Sequence, residues 1–396
     1  MTLSHWQAAH RHRTATYDVV VVGGGIVGCS AAYWLSQIAS DLHVAIVDAG
    51  TLGGGASGRN AGMVLQGTDA SYLTDVDRYG PRTARRLWAF TRANRDLIET
   101  ELAAGAVDWR SPGSLTVAGS ADEDARLQRS VPRMRAAGAP VAYLSPRETR
   151  RRLGARGFHG SLYVTCGGVV NPLRLVRHIA QRSGADLRTQ HHVEALRRTS
   201  GGPLVLDTPV RRLHARRVVL AVGPWLPELM PAGAAYVRPV RGQMLVTEPA
   251  AEQVLPLPAY SHRGGFYVRQ LADGRVLAGG GRHEHAEAEE TAVDATTAAV
   301  QNTVEHYLHT HFPWTHGLSV ERRWSGTMGF SPDGRPVVGP VPGLDGSFFA
   351  TGFTGHGMGY GFRMGRLLAE LTTGSERPNG YDLFTAERFE AEPVRR

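Results

Sequence analysis

The feature that most constrains the fold is the stretch VVVVGGGIVGCSAAYWL, Val19 to Leu35. Four valines in a row, with no polar alternation, describe a short strand covered on both faces, as at the centre of a parallel sheet. The small and apolar residues after the glycines have helical spacing. Gly23, Gly25 and Gly28 therefore spell G-x-G-x-x-G between a strand and a helix. In that motif the first glycine makes the tight turn, the second lets a pyrophosphate approach the backbone, and the third lets helix and strand pack closely. The helix start offers free N–H groups and about half a positive charge to the phosphates. Glycine turns of this kind also occur without any ligand, so the next strand carries the weight. HVAIVDAG ends a second apolar run at Asp48, twenty residues past Gly28, where a carboxylate takes ribose hydroxyls. Strand, turn, helix and acid together point to dinucleotide binding.

A chain of 396 residues has room for about two domains and a large core. No apolar run approaches the roughly 20 residues that span a bilayer, and MTLSHWQAAHRHRTATYD lacks the apolar centre of a signal peptide. Two cysteines, Cys29 and Cys166, make no disulfide framework, so a cytoplasmic protein is expected. The formal charge of +8 is not read as a nucleic-acid signal. All 44 basic residues are Arg, none is Lys, and they are scattered without interleaved aromatics. A genome rich in Arg codons accounts for them.

Residues 1–16 read as a polar surface arm. The nucleotide-binding pieces are expected at 17–100, 158–228 and 320–380, with substrate-binding pieces at 101–157 and 229–319. Within these, 290–312 reads as helical, Asp273-Gly274 as a hairpin turn, and 359–373 as a helix behind a glycine-rich turn.

Five motifs then occur in order: VVVVGGGIVG, ASGRNAG, GGVVNPLRL, VVLAVGPW and GFTGHGMG. Over some 340 residues this pattern resembles the D-amino-acid-oxidase superfamily of flavoproteins, on the glycine/sarcosine oxidase side and nearest its γ-glutamylputrescine oxidoreductase-like branch. The resemblance implies FAD, held in a Rossmann-like α/β domain, with an inserted mixed β-sheet (α+β) substrate domain. Its implied cofactor set is Gly23, Gly25, Ile26, Val27, Gly28, Asp48, Ala49, Ala56, Ser57, Asn60, Ala61, Gly62, Met63, Val193, Gly223, Trp225, Gly355, His356, Gly357 and Met358. Ser57 and Asn60 can hydrogen-bond phosphate or ribityl groups, and Ala61 to Met63 would pass beside the isoalloxazine. Some relatives attach FAD through a Cys before the PDG turn; WSGTMGFSPDG has none, so noncovalent FAD is expected.

The family's chemistry moves a hydride from the carbon beside an amine nitrogen to flavin N5, and the resulting imine hydrolyses. Tyr267, in GFYVRQ, matches an active-site tyrosine of that family, and is otherwise an ordinary sheet tyrosine. His356 is the candidate titrating group, or else a backbone-satisfied cap. Two departures concern the substrate. Met328 stands where glycine oxidase-like members carry a carboxylate-binding Arg, and Gly359 where sarcosine oxidase-like members carry a Lys. The expected substrate is therefore an amine without an α-carboxylate, or one whose carboxylate meets Arg59 or Arg241; a structural ion pair is the other reading of Arg241. Leu277 replaces the Lys that promotes reaction with oxygen in sarcosine oxidase-like enzymes.

Three functions stay open: an amine or amino-acid oxidase making hydrogen peroxide, a dehydrogenase using a quinone or carrier, and a flavin-binding subunit without turnover. The histidines at 283, 285, 306, 309, 311 and 316 are read as solvated rather than as metal ligands.

Overall fold

The computed structural model describes residues 14–104 and 107–389. The valine strand takes the central place its composition demands. β1 (Thr14–Val22) lies between β2 (Val44–Val47) and β3 (Arg212–Leu220), parallel to both. Asp186–Arg188 extends the β2 side and Ser347–Thr351 the β3 side, again in parallel; Val337–Pro340 closes the edge antiparallel. Val19, Val20 and Val21 are fully buried. One face of this sheet carries α1 (Ile26–Ile38), α2 (Tyr72–Leu102) and α3 (Gly357–Thr372), whose apolar sides form one core with helix Pro172–Arg182.

The glycines decide how closely these layers meet. A Cβ on Gly28 would lie 1.9 Å from Gly23 O, so only glycine lets α1 sit against the turn. α3 crosses α1 through Gly361 and Gly365, whose Cβ atoms would fall 2.7 Å from Ile26 and 2.3 Å from Ser30. The approach is tight enough for the Trp34 indole N–H to donate to Phe362 O at 3.1 Å. α2 is two helices joined at Gly80, in the left-handed region at φ 79°, directly before Pro81; a residue preceding proline is driven out of helical geometry.

The second sheet is mixed. β7 (Val320–Phe330), β4 (Arg238–Thr247), β6 (Val276–Gly280) and β5 (Phe266–Gln270) lie side by side, followed by Ala259–Ser261, Ser114–Val117, Ser161–Val164 and Val141–Leu144. The pairs are antiparallel except Ala259–Ser261 with Ser114–Val117. β5 and β6 form the hairpin around Asp273-Gly274. Helix Ala298–His311 covers the sheet, with Val300, Val304, Tyr307 and Leu308 buried against Phe266 and Val268.

Several boundaries differ from the sequence reading. Ser161–Val164 and β7, assigned there to nucleotide-binding pieces, are hydrogen-bonded into the second sheet instead. Their alternation suits either sheet, and only strand pairing decides membership. Residues 1–13 of the expected arm lie outside the described residues, while Thr14 to Thr16 begin β1 and pair with Arg212 to His214. The helix placed at 290–312 starts at Ala298; Gln243 Oε1 accepts from Thr297 N–H at 2.9 Å and supplies its cap from another strand. No helix among the described residues is long and apolar enough to cross a membrane.

Candidate functional site

A cavity of about 800 Å³ opens at the end of the β1 turn and reaches across to the second sheet. Ligand pockets commonly have 300–1,000 Å³. Gly23, Gly25, Ile26, Val27, Asp48, Ala49, Ala56, Ser57, Asn60, Val193, Gly223, Trp225, Gly355, Gly357 and Met358 all line it, as do Arg59, Tyr267 and Met328. The structure thus gathers residues more than 330 positions apart.

Two helices begin on the cavity, α1 at the nucleotide end and α3 beside Met328, and neither is capped by the side chain of its own N-cap residue. Gly25 is the N-cap of α1 and His356 of α3, with no acid in either first turn. Uncapped starts leave N–H donors and positive potential for an anion. Asp48 closes the neighbouring turn: its Oδ2 accepts from Gly24 N–H at 2.6 Å and its Oδ1 from Gly50 N–H at 2.7 Å. Ser57 Oγ accepts from Ile26 N–H at 3.0 Å, tying the 54–60 loop to the start of α1. Gly223 sits at φ 59° with nothing within 4 Å of a Cβ, so a side chain there would enter open space. His191 lines the cavity and its Nε2 is buried without a partner. Glycine cradle, uncapped helix starts and an orphaned polar atom suit a phosphate-bearing dinucleotide.

Asn60 lines the cavity and is also engaged within its own loop. Its Nδ2 donates to Ala56 O and Ser57 O, both at 2.9 Å, and its Oδ1 accepts from Gly62 N–H at 2.8 Å. The amide holds the loop's shape: both Nδ2 protons are used within the loop, and Oδ1 keeps one lone pair on the cavity side. Ala61, Gly62 and Met63 do not line the cavity. Ala61 and Met63 are buried in a small apolar cluster with Leu65 and Met244, against which Tyr267, Leu277 and Trp324 pack.

What fixes that loop is a residue the sequence reading missed. Arg269, on β5 two positions past Tyr267, is buried and donates from Nη1 to Ala61 O, Gly62 O and Val170 O. Burial lowers its pKa to about 10, so the guanidinium stays charged. A lone Arg in a strand carries no pattern that announces such a role.

At the far end, burial raises the Tyr267 phenol to about 12, which leaves a neutral hydroxyl at the cavity wall. The His356 ring is not part of the cavity lining. Its Nε2 is buried without a partner, and burial lowers its pKa to about 4. A titrating role near neutral pH does not fit a ring held neutral in this way.

Neither arginine proposed for a substrate carboxylate is free. Arg241 lies outside the lining; its Nη2 and Nε grip Glu289 at 2.6 and 2.9 Å, both residues being buried. Burial alone would raise the Glu289 carboxyl, but hydrogen bonds from Arg241 and Gln243 bring it below its ordinary value. Arg59 does line the cavity, yet its Nη1 meets Asp294 at 2.5 Å and its Nε donates to Gly54 O at 2.7 Å. Ser325 donates to the same Asp294, and Trp324 Nε1 to Arg59 O at 2.8 Å. These groups lock the 54–60 loop to β7.

Met328 packs its thioether near Gly242 and Gly355. At Gly359 even a Cβ would lie 2.8 Å from Leu65 O, so this packing has no room for a lysine. Cys29 is buried in α1, and Cys166 Sγ is bonded by Gln66 Nε2; neither lines the cavity. Among the described residues no group of three or more His, Cys, Asp or Glu is placed to hold a metal ion.

Comparison with known proteins agrees with this geometry. Residues 18–371 match the DAO family, described as FAD dependent oxidoreductase. The γ-glutamylputrescine oxidoreductase of Escherichia coli K12 is 28% identical over 401 residues, covering 96% of this chain and 87% of its own. A glycine oxidase of Geobacillus kaustophilus is 28% identical over 377 residues, with 92% and 94% covered. The crystal structure of glycine oxidase from that species superposes with a TM-score of 0.80 at 25% identity, over 93% of this chain and 98% of that one. The L-proline dehydrogenase of P. horikoshii shares the fold, with a TM-score of 0.80 at 19% identity and coverage of 96% and 99%. This chain belongs to the DAO family of FAD-dependent oxidoreductases.

Proposed function

We propose that the protein oxidises the C–N bond of a small amine or amino acid, with molecular oxygen as the final acceptor and hydrogen peroxide as product. One observation carries the reading: a single cavity joins the glycine turn and both uncapped helix starts to Tyr267 and Met328 on the second sheet. FAD bound there supplies the two-electron acceptor for a hydride leaving the carbon beside nitrogen. The nitrogen lone pair drives that departure, so the chain needs no strong base. Its own part is to hold the carbon in place, keep the amine neutral and exclude water. Tyr267 contributes a neutral hydroxyl that can donate to the substrate, and Trp324, Met244 and Met328 supply an apolar wall. The relatives' activities on glycine and on γ-glutamylputrescine support an amine substrate.

The flavin is held noncovalently, in keeping with the position of both cysteines outside the cavity lining.

A dehydrogenase with a quinone or carrier acceptor is the second reading. It is favoured by Leu277, which packs in the Met63 cluster at the position where sarcosine oxidase-like enzymes carry a lysine.

Anaerobic addition of an amine panel followed by air tests both. Bleaching that air reverses with stoichiometric peroxide supports the oxidase; bleaching that persists in air until a quinone is added supports the dehydrogenase. A flavin that no amine bleaches contradicts both.

A further inference from the structure

Between the short turn Arg282–Glu284 and helix Ala298–His311 the chain forms no helix or strand. Its last part, residues 289–297, is a loop whose two ends meet at one side chain. Gln243, on β4 and fully buried, donates from Nε2 to the Glu289 carboxylate at 3.0 and 3.1 Å and to Thr297 Oγ1 at 3.0 Å. Its Oε1 accepts from Thr297 N–H at 2.9 Å. Arg241 grips the same Glu289, so the root of the loop is buried and fixed. Surface loops with closed ends are frequently functional.

The tip is built differently. Ala292 and Asp294 line the cavity, whereas Val293 between them is 60% exposed and does not. That alternation describes an extended strap one residue thick, with the cavity on one side and solvent on the other. Asp294 accepts from Ser325 Oγ on β7 at 2.6 Å and meets Arg59 Nη1 at 2.5 Å. These two partners hold its carboxyl below the usual range, Ser325 first and Arg59 second. Arg59 belongs to the 54–60 loop, which Ser57 ties to the first N–H of α1 at the glycine turn. One carboxylate on the second-sheet side thus reaches the loop beside the phosphate-binding turn.

This tie is weak by construction. The Arg59 and Asp294 side chains are 37% and 56% exposed, so salt screens the pair. Bonds from Thr327 Oγ1 to Ala292 O and from Arg241 Nη1 to Val293 O are long, at 3.4 Å each. Arg59 keeps neutral bonds to Ser325 O and from Trp324 Nε1 whether or not the pair is made. A fixed root with a lightly held tip is the construction of a gate.

We propose that the 289–297 loop is a latch over the cofactor cavity, and that Asp294, acting through Arg59, is the positioning residue that sets how fast FAD leaves. Release of a cofactor from the glycine turn requires the 54–60 loop to lift, and the Arg59–Asp294 pair holds that loop to the second sheet. The inference needs only bound FAD and stands whether or not an amine reduces it.

Wild type, D294N and E290Q are loaded with FAD, and free flavin is separated from bound at intervals after dilution, in low and high salt. D294N removes the charge and leaves an amide oxygen for Ser325. E290Q breaks the exposed pair of Glu290 with Arg238, on the same loop but outside the cavity lining. In low salt D294N should release FAD about two- to fivefold faster than wild type, and E290Q at the wild-type rate. Wild-type release should quicken between about 0.01 M and 1 M salt, and D294N should lose most of that response. A merely structural role for Asp294 would not remove the salt response, and the melting temperatures report any general loss of structure. Release from D294N no faster than from wild type overturns the latch. So does an equal salt response in both, E290Q as fast as D294N, or flavin that leaves none of the three.

Discussion

Arg269 Nη1 donates to Ala61 O at 2.7 Å, joining the strand that carries Tyr267 to the loop that borders the cavity. Removing the guanidinium leaves three carbonyls, those of Ala61, Gly62 and Val170, without this donor. Hydrogen bonds from a charged group contribute about 1.5–3 kcal/mol each, and these three share one nitrogen. Arg269→Met should therefore lower stability by about 2–4 kcal/mol and weaken FAD retention, checked by urea unfolding and flavin content after dialysis. Unchanged retention would place the loop's shape on Asn60 alone.

Gly28 answers to a harder constraint. With a Cβ 1.9 Å from Gly23 O, Gly28→Ala must push α1 off the turn or distort the turn itself. Loss of bound FAD is expected even if the protein stays folded, read as a colourless protein with a near-native circular dichroism spectrum.

The Arg241–Glu289 pair is buried and tied further to Gln243. Breaking one side leaves an uncompensated charge, which costs about 3–5 kcal/mol. Arg241→Met should therefore destabilise strongly, whereas Arg241→Met with Glu289→Leu should recover much of the loss. FAD content should be unchanged in the double variant, since Arg241 lies outside the cavity lining.

How much of this was legible in the sequence differs by element. The β1–α1 turn was, because Val19 to Val22 and the glycines at 23, 25 and 28 are local signals whose geometry follows from adjacent residues. Tyr267 and Met328 were placed at the cavity through motif order alone. Membership of β7 in the second sheet was not legible, since its pairing with β4 is set by residues some 80 positions away. Nor was the satisfaction of Asn60, Arg59 and Arg241, because a polar residue's partner is a tertiary fact. Arg269 was missed for the same reason: nothing in FYVRQ announces the three carbonyls that its Nη1 meets.

Asp75 predicts a pH dependence of stability. Its carboxyl is buried, accepts from the Thr68 hydroxyl at 2.7 Å, and is raised from 3.8 to about 7, chiefly by burial. Below pH 3.8 both folded and unfolded states are protonated. Between there and about pH 7 the folded state keeps a proton that the unfolded state has released, so stability falls as pH rises. At about 1.36 kcal/mol per pKa unit the full loss reaches up to about 4 kcal/mol by pH 8. Asp75→Asn should remove that slope and be the more stable form at pH 8, measured by urea unfolding at pH 5 and pH 8.

The central claim is that one cavity serves FAD and an amine together. The most direct measurement is the visible spectrum of the purified protein, before and after anaerobic addition of amines with and without a carboxylate. The account predicts a flavin spectrum, released into the supernatant by acid because it is noncovalent, and bleached by at least one of the amines. A colourless protein that takes up no FAD, or a flavin that no amine reduces, would contradict it.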